Sequence, residues 1–216
     1  MSEIISLMFH EVLDNPLEKS GWHLESKGKY TITKSKFRSI ISKYGNSVNY
    51  TFDDGGKSNL YVAKELKKNK IEGTFFIATD FIGKKEFLSL DEIKNISQNH
   101  KIYAHGHKHL MNNFNDFELM KDWKMSLKIL KTNHFNNDTI CLPGGTFSKK
   151  HYNVLSSLGV KNIYHSAPTN KFLNLFYGNK IKFHSRIIVD NNFQKINKIN
   201  FVALKSIIKQ IINFFK

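Results

Sequence analysis

Between residues 4 and 189, short apolar runs rich in β-branched and aromatic residues alternate with stretches whose apolar residues recur at helical spacing. Residues 4–9, 48–52, 73–78, 101–104, 139–142, 160–164 and 181–189 read as strands. Between them, Thr33 caps a helix with Phe37, Ile40 and Ile41 on one face, and residues 58–70 turn Leu60, Val62, Ala63 and Leu66 inward. Ser89-Leu90-Asp91-Glu92 has the capping-box form and starts a helix to about Asn99. A helix over residues 117–132 carries Leu119, Trp123, Leu127 and Leu130 on its stripe, and Ser148 caps another that Gly159 stops. Residues 13–32, with Pro16 and Gly21, read as a loop, and residues 198–216 as a final helix. Strands alternating with helices predict an α/β fold with a largely parallel sheet.

A chain of 216 residues suits one domain with a substantial core. We expect that domain over residues 1–194, with an amphipathic helix appended over 195–216. Its lone cysteine, Cys141, excludes an internal disulfide and a cysteine-built zinc site. The start, MSEIISLMFHEV, lacks the basic residues, long apolar segment and cleavage site of a secretory signal, and no stretch reaches the length of a membrane span. The expected location is therefore cytoplasmic. In the last helix, Phe201, Leu204, Ile207, Ile208, Ile211, Ile212 and Phe215 oppose Lys205, Lys209, Asn213 and Lys216. Such a face either packs on its own domain or lies in an anionic membrane surface, here the inner one. The net charge of +15 fits an anionic partner or a lysine-solvated surface. The lysines are scattered and no nucleic-acid motif is present, so no nucleic-acid partner is expected.

In folds of this class, ligands gather at the carboxyl ends of the strands. Three such ends carry unusual residues. Thr51-Phe52-Asp53-Asp54-Gly55-Gly56 ends one strand in two carboxylates, and a glycine turn there lets both swing into one cleft. Another strand delivers His105-Gly106-His107-Lys108-His109, and a third runs into Pro143-Gly144-Gly145. His105 and His109 are four apart, so one helical turn or a tight loop aims both rings at one point. Two imidazoles and a carboxylate suit Zn²⁺ with an open position, the pattern of catalytic zinc. A solvated histidine-rich loop is the plainer reading, and His107 is either a supporting partner or exposed.

These stretches resemble the polysaccharide deacetylase family, metal-dependent enzymes that remove acetyl groups from chitin oligomers, peptidoglycan and related glycans. Thr51 to Gly55 matches the family's Thr-Phe-Asp-Asp-Gly, and His105 with His109 matches its His-x-x-x-His. Gly73-Thr74-Phe75-Phe76-Ile77 is similar to the strand between them, and Cys141-Leu142-Pro143-Gly144-Gly145-Thr146 meets the third motif loosely. The resemblance spans roughly residues 4–165. It implies a deformed (β/α) barrel and an acetylated carbohydrate substrate. It also implies Zn²⁺ or another divalent transition metal on Asp54, His105 and His109, with Asp53 as general base. On that chemistry, a backbone N–H near Gly144 faces the developing oxyanion.

Three departures stand out. Cys141 occupies the place of the third-motif arginine that orients the base, and Tyr164-His165-Ser166-Ala167-Pro168 replaces the Asp-x-Trp region. The closing Leu-x-Ile-His, source of the family's general acid, is missing; its nearest candidate is His184 in Lys182-Phe183-His184-Ser185-Arg186, with Asp53 acting as base and then acid as the alternative. The expected function is therefore N-deacetylation of an amino sugar or glycan intermediate in cell-surface polysaccharide assembly. The alternative is a catalytically degenerate relative that binds a glycan or an anion. A metal phosphoesterase would want further carboxylate ligands, and none are placed for it.

Overall fold

All seven apolar runs become strands in the computed structural model, which describes residues 4–15, 19–22, 28–110, 114–145, 147, 149–166, 170–177 and 179–194. In chain order the strands are β1 (Ser6–Phe9), β2 (Glu11–Val12), β3 (Thr31–Ile32), β4 (Asn49–Phe52), β5 (Gly73–Ile77), β6 (Lys101–Ala104), β7 (Thr139–Cys141), β8 (Asn162–His165) and β9 (Lys182–Ile188). The helices are α1 (Lys34–Tyr44), α2 (Asn59–Lys68), α3 (Leu90–Ser97), α4 (Asp116–Thr132), α5 (Lys149–Ser157) and α6 (Asn170–Tyr177). The strands β1, β4, β5, β6, β7, β8 and β9 pair in that order, all parallel, and β9 pairs back with β1 to close a barrel. Strands β2 and β3 pair separately, β2 just before the stretch read as loop and β3 at its end.

Strand parity separates the barrel's lining from its coat. Arg186 of β9 lies 5.3 Å over the Phe76 ring of β5, and Phe76 packs 5.1 Å from Tyr164 of β8. These strands are not neighbours, so the contacts cross the interior. Residues of opposite parity face the helices: Phe9, Phe52 and Phe75 stack at 5.1 and 5.0 Å, and Phe37 of α1 meets Phe9 edge-on at 5.5 Å. That aromatic seam belongs to one continuous core with Val62 and Leu66 of α2 and Trp123 of α4.

Helix starts follow the capping chemistry in the sequence. Thr33 accepts from the Lys36 N–H at 3.1 Å, and Ser89 with Glu92 forms a full capping box. Asn115 and Glu118 form a second box that starts α4 at Asp116, and each cap stabilises its helix by about 1 kcal/mol. Helix α6 fills a region read without structure. Ser148 and the helix expected over 198–216, with its membrane contact, lie outside the described residues.

Glu11 ties the β2–β3 connection to the barrel mouth. Its Oε2 accepts from the Ser58 hydroxyl at 2.6 Å, and Ser20 Oγ accepts from Ser58 N–H at 2.7 Å. Oε1 lies where a side chain on Gly21 or Gly56 would stand, 2.1 and 2.2 Å from an ideal Cβ. Burial lifts the Glu11 carboxyl from 4.5 to about 7; Ser20 and Ser58 offset only part of this, and Asp54 adds to it. The folded chain therefore keeps a proton that the unfolded chain releases. Stability should fall as pH rises from about 4.5 to 7, by an amount on the order of 3 kcal/mol, and level off above. Urea unfolding at pH 5 and pH 8 should show this loss in wild type and a smaller one in Glu11→Gln. An equal pH slope in both proteins would assign it to other groups.

Candidate metal centre and active site

Asp53 and Asp54 leave the end of β4 with both carboxylates in the barrel mouth. Parity alone would send them to opposite sides; Asp54 escapes this by taking the left-handed region at φ 76°, followed by Gly55 at 86°. Short polar side chains tolerate that region best among non-glycine residues. Both carboxylates are buried.

His105 and His109 come from a loop after β6, not from a helical turn. Gly106, at φ 76°, lets the loop close against α4, where any side chain would press on Asp122 Oδ2. Asp122 accepts from the N–H groups of His107 and Lys108 at 2.8 and 2.7 Å, and Ser126 donates to the Gly106 carbonyl at 2.9 Å. His109 itself takes φ 57°, which turns its ring back toward His105. His107 turns away: its Nδ1 is 3.0 Å from Thr79 Oγ1 and its Nε2 3.5 Å from Asp80.

Asp54 Oδ1 is buried without a hydrogen-bond partner. It lies 3.3 Å from His105 Nε2 and 3.4 Å from His109 Nε2. A tetrahedral ion with bonds of about 2.0–2.1 Å holds its ligand atoms roughly 3.3–3.4 Å apart. The spacing of this donor set and its orphaned oxygen fit a zinc-class ion. Behind it, His105 Nδ1 is 3.0 Å from the Cys141 carbonyl, which fixes the tautomer that leaves Nε2 to the centre. Burial and the charge of His105 push His109 down to about 4, so it stands neutral. Burial alone would raise Asp54, but His105, His10 and His109 hold it below its ordinary value and ionised.

Asp53 is held from the far side of the barrel. Arg186 Nη1 and Nη2 donate to its Oδ1 and Oδ2 at 2.6 and 2.8 Å, a bidentate clamp with the guanidinium fully buried. The same guanidinium reaches Thr51 Oγ1 at 3.2 Å and Cys141 Sγ at 2.7 Å. Burial would raise the Asp53 pKa; Arg186, with His105 and His10, brings it well below the carboxylate range. A guanidinium therefore does reach Asp53, from β9 rather than from position 141. The smaller Cys141 leaves room for it.

Two further histidines stand in different places relative to the mouth. His184 lies on the Arg186 face of β9 but nearer the strand's start, stacked 4.6 Å on Tyr164 with Nε2 3.1 Å from Asn162 Oδ1. Burial and the Lys182 charge lower it to about 4, and its ring and hydrogen-bond partners are Tyr164 and Asn162 rather than Asp53, Asp54, His105 or His109. His10 instead follows β1 at the mouth, where Asp53 N–H donates to the Phe9 carbonyl at 3.0 Å. Its ring stacks 4.7 Å on Tyr30, its Nδ1 is buried without a partner, and its charge acts on Asp53, Asp54 and His109. Leu7-Met8-Phe9-His10 is one residue type away from the closing Leu-x-Ile-His, at the opposite end of the chain. Gly144 sits exposed in the turn after β7, at φ 67°, and Pro143 of that turn packs toward Gly106.

The family model for polysaccharide deacetylase matches residues 42–163, more than half of the chain. The chain belongs to the polysaccharide deacetylase family. A search of curated proteins gives no match. Among solved structures, this chain is similar to IcaB from Ammonifex degensii, with 17% identity and a TM-score of 0.68 over 87% of this chain and 92% of that one. The PplD deacetylase of Streptococcus pyogenes, in complex with acetate, matches at 16% identity and 0.63 over 99% and 98%. A de-N-acetylase from Aggregatibacter actinomycetemcomitans matches at 14% and 0.63 over 97% and 98%. At these identities the likeness speaks for the barrel fold, and family and fold together support carbohydrate deacetylation.

Proposed function

We propose that the protein is a metal-dependent N-deacetylase of an acetylated amino sugar, in a glycan destined for the cell surface. The observation that carries this reading is the orphaned Asp54 oxygen, at tetrahedral spacing from His105 and His109, beside an Arg186-clamped Asp53. Similarity to a de-N-acetylase and to a deacetylase held with acetate supports the choice of an acetamide.

Asp54, His105 and His109 would hold the ion, which supplies positive charge to polarise the amide carbonyl and to acidify water. Asp53 takes the proton from the attacking water. Arg186 keeps it ionised and aimed, at some cost in basicity. The Gly144 N–H would meet the oxygen that gains charge as water adds to the carbonyl. His10 gives a proton to the sugar nitrogen as the C–N bond breaks, releasing acetate and a free amine. The binding-only alternative rests on the missing third-motif arginine and acid motifs together with the basic charge; the buried Arg186–Asp53 pair answers the first of these and supports catalysis.

Acetate release from a panel of N-acetylated amino sugars tests the proposal, with bound metal measured in parallel. We expect release that a chelator stops and zinc restores. His109→Ala should lose metal and acetate release together, because two ligands hold an ion far more weakly than three. Undiminished release in a metal-free preparation would overturn it.

A further inference from the structure

We infer that Trp22 is a platform for a pyranose ring of the substrate, at the rim of the metal centre. The inference rests on the deacetylase reading and extends it from the reacting acetamide to the sugar that carries or adjoins it. The indole lies 4.7 Å from the ring of His109, tilted by 40°. His109 in turn faces Asp54 at 3.4 Å, so Trp22 stands one ring behind a ligand of the centre. Phe81 and Phe87 flank it at 4.7 and 5.1 Å, with interplanar angles of 75° and 72°. Neither lies flat on the indole, and no ring among the described residues does. Trp22 is half-buried, whereas the chain's other tryptophan, Trp123, is 1% exposed in the core.

Packing alone does not call for this placement. A tryptophan left partly exposed beside a polar centre keeps apolar area in water that a stacked ring would cover. The position is nonetheless well fixed. Gly21 N–H donates to the Glu86 carbonyl at 2.9 Å, Ser20 Oγ accepts from Ser58 at 2.7 Å, and Glu11 fills the space between Gly21 and Gly56. A pyranose ring supplies what such an indole lacks. Its axial C–H groups form an apolar patch with partial positive charge, which suits the negative face of the π system. Its hydroxyls suit the indole N–H, a donor with no acceptor role. A sugar stacked there lies next to His109, so its acetamide is within reach of Asp54 and Asp53.

The metal-loaded protein tests this in two ways that do not depend on each other. Acetate-release kinetics on an N-acetylglucosamine tetramer should show KM rising about 10-fold in Trp22→Ala, with a much smaller change in kcat and unchanged metal content. Trp22→Phe should recover most of the loss. If Trp22 only braces His109, metal content and kcat fall instead, and the inference is overturned; an unchanged KM overturns it too. Tryptophan emission, titrated with the same tetramer, reads binding without turnover. A saturable change in wild type that vanishes in Trp22→Phe, where only Trp123 emits, supports the platform even if no acetate is released. Acetate release with no emission change would leave the deacetylase reading standing and remove the platform.

Discussion

Asp53→Asn should retain its metal and lose turnover by a factor of ~10²–10⁴, the usual contribution of a general base. It should also lose stability, which an exposed catalytic acid would not. Arg186 is fully buried, and two of its three shortest contacts, at 2.6 and 2.8 Å, end on Asp53, the third reaching Cys141 Sγ at 2.7 Å. Breaking a buried pair from one side leaves the other charge uncompensated and typically costs about 3–5 kcal/mol. Arg186→Met should be destabilising for the same reason, and the double variant should be far less so than the sum of the two. A double-mutant cycle by urea unfolding reads that coupling. Kinetics separate the roles. With Arg186 gone, burial acts on Asp53 unopposed by its strongest counter-charge, so its pKa rises. The acidic limb of the kcat/KM profile should then move to higher pH in Arg186→Met. Additive losses of stability together with an unmoved acidic limb would reduce Arg186 to packing.

The two halves of this site were not equally legible in the sequence. Asp53, Asp54, His105 and His109 sit at the ends of two strands whose apolar pattern is plain, and β6 falls at residues 101–104 as the pattern predicts. Local chemistry decided those positions: a strand before each pair, and a glycine directly after Asp54 and after His105. Arg186 was missed because its contact with Asp53 spans 133 residues and crosses the barrel. The available signal was a lone arginine in the apolar run over residues 181–189, on the opposite parity to Phe183. Asp122 was missed for a similar reason. It sits beside Trp123 on the buried side of α4, where a carboxylate without a local partner has to be holding something. The β2–β3 connection, with Trp22, carries no periodicity, and tertiary ties through Glu11 and Ser58 set its course. By position along the chain the candidate acid falls on β9, at His184. In a closed barrel β1 and β9 are neighbours, so a histidine ending the first strand serves the same mouth as one ending the last.

That geometry gives the last expected result: His10→Gln should lower kcat by ~10²–10⁴-fold while keeping the metal and the fold. An acid has to be protonated before it can act, so wild-type kcat should fall toward high pH as the acid deprotonates. The variant should lack that limb, because the glutamine amide holds no proton to lose in this range. His184→Gln is the control. Burial first, and Lys182 second, hold His184 neutral to about 4, and a neutral imidazole stacked on Tyr164 has no proton ready for a leaving amine. Its replacement should alter the Asn162 contact and cost roughly 1 kcal/mol of stability, leaving the pH profile of kcat as it was. The two variants therefore move different observables, one the basic limb and the other the unfolding midpoint. A wild-type profile in His10→Gln, with the basic limb lost in a folded His184→Gln, would return the acid to β9. If both variants keep the basic limb, Asp53 carries its captured proton across to the nitrogen itself.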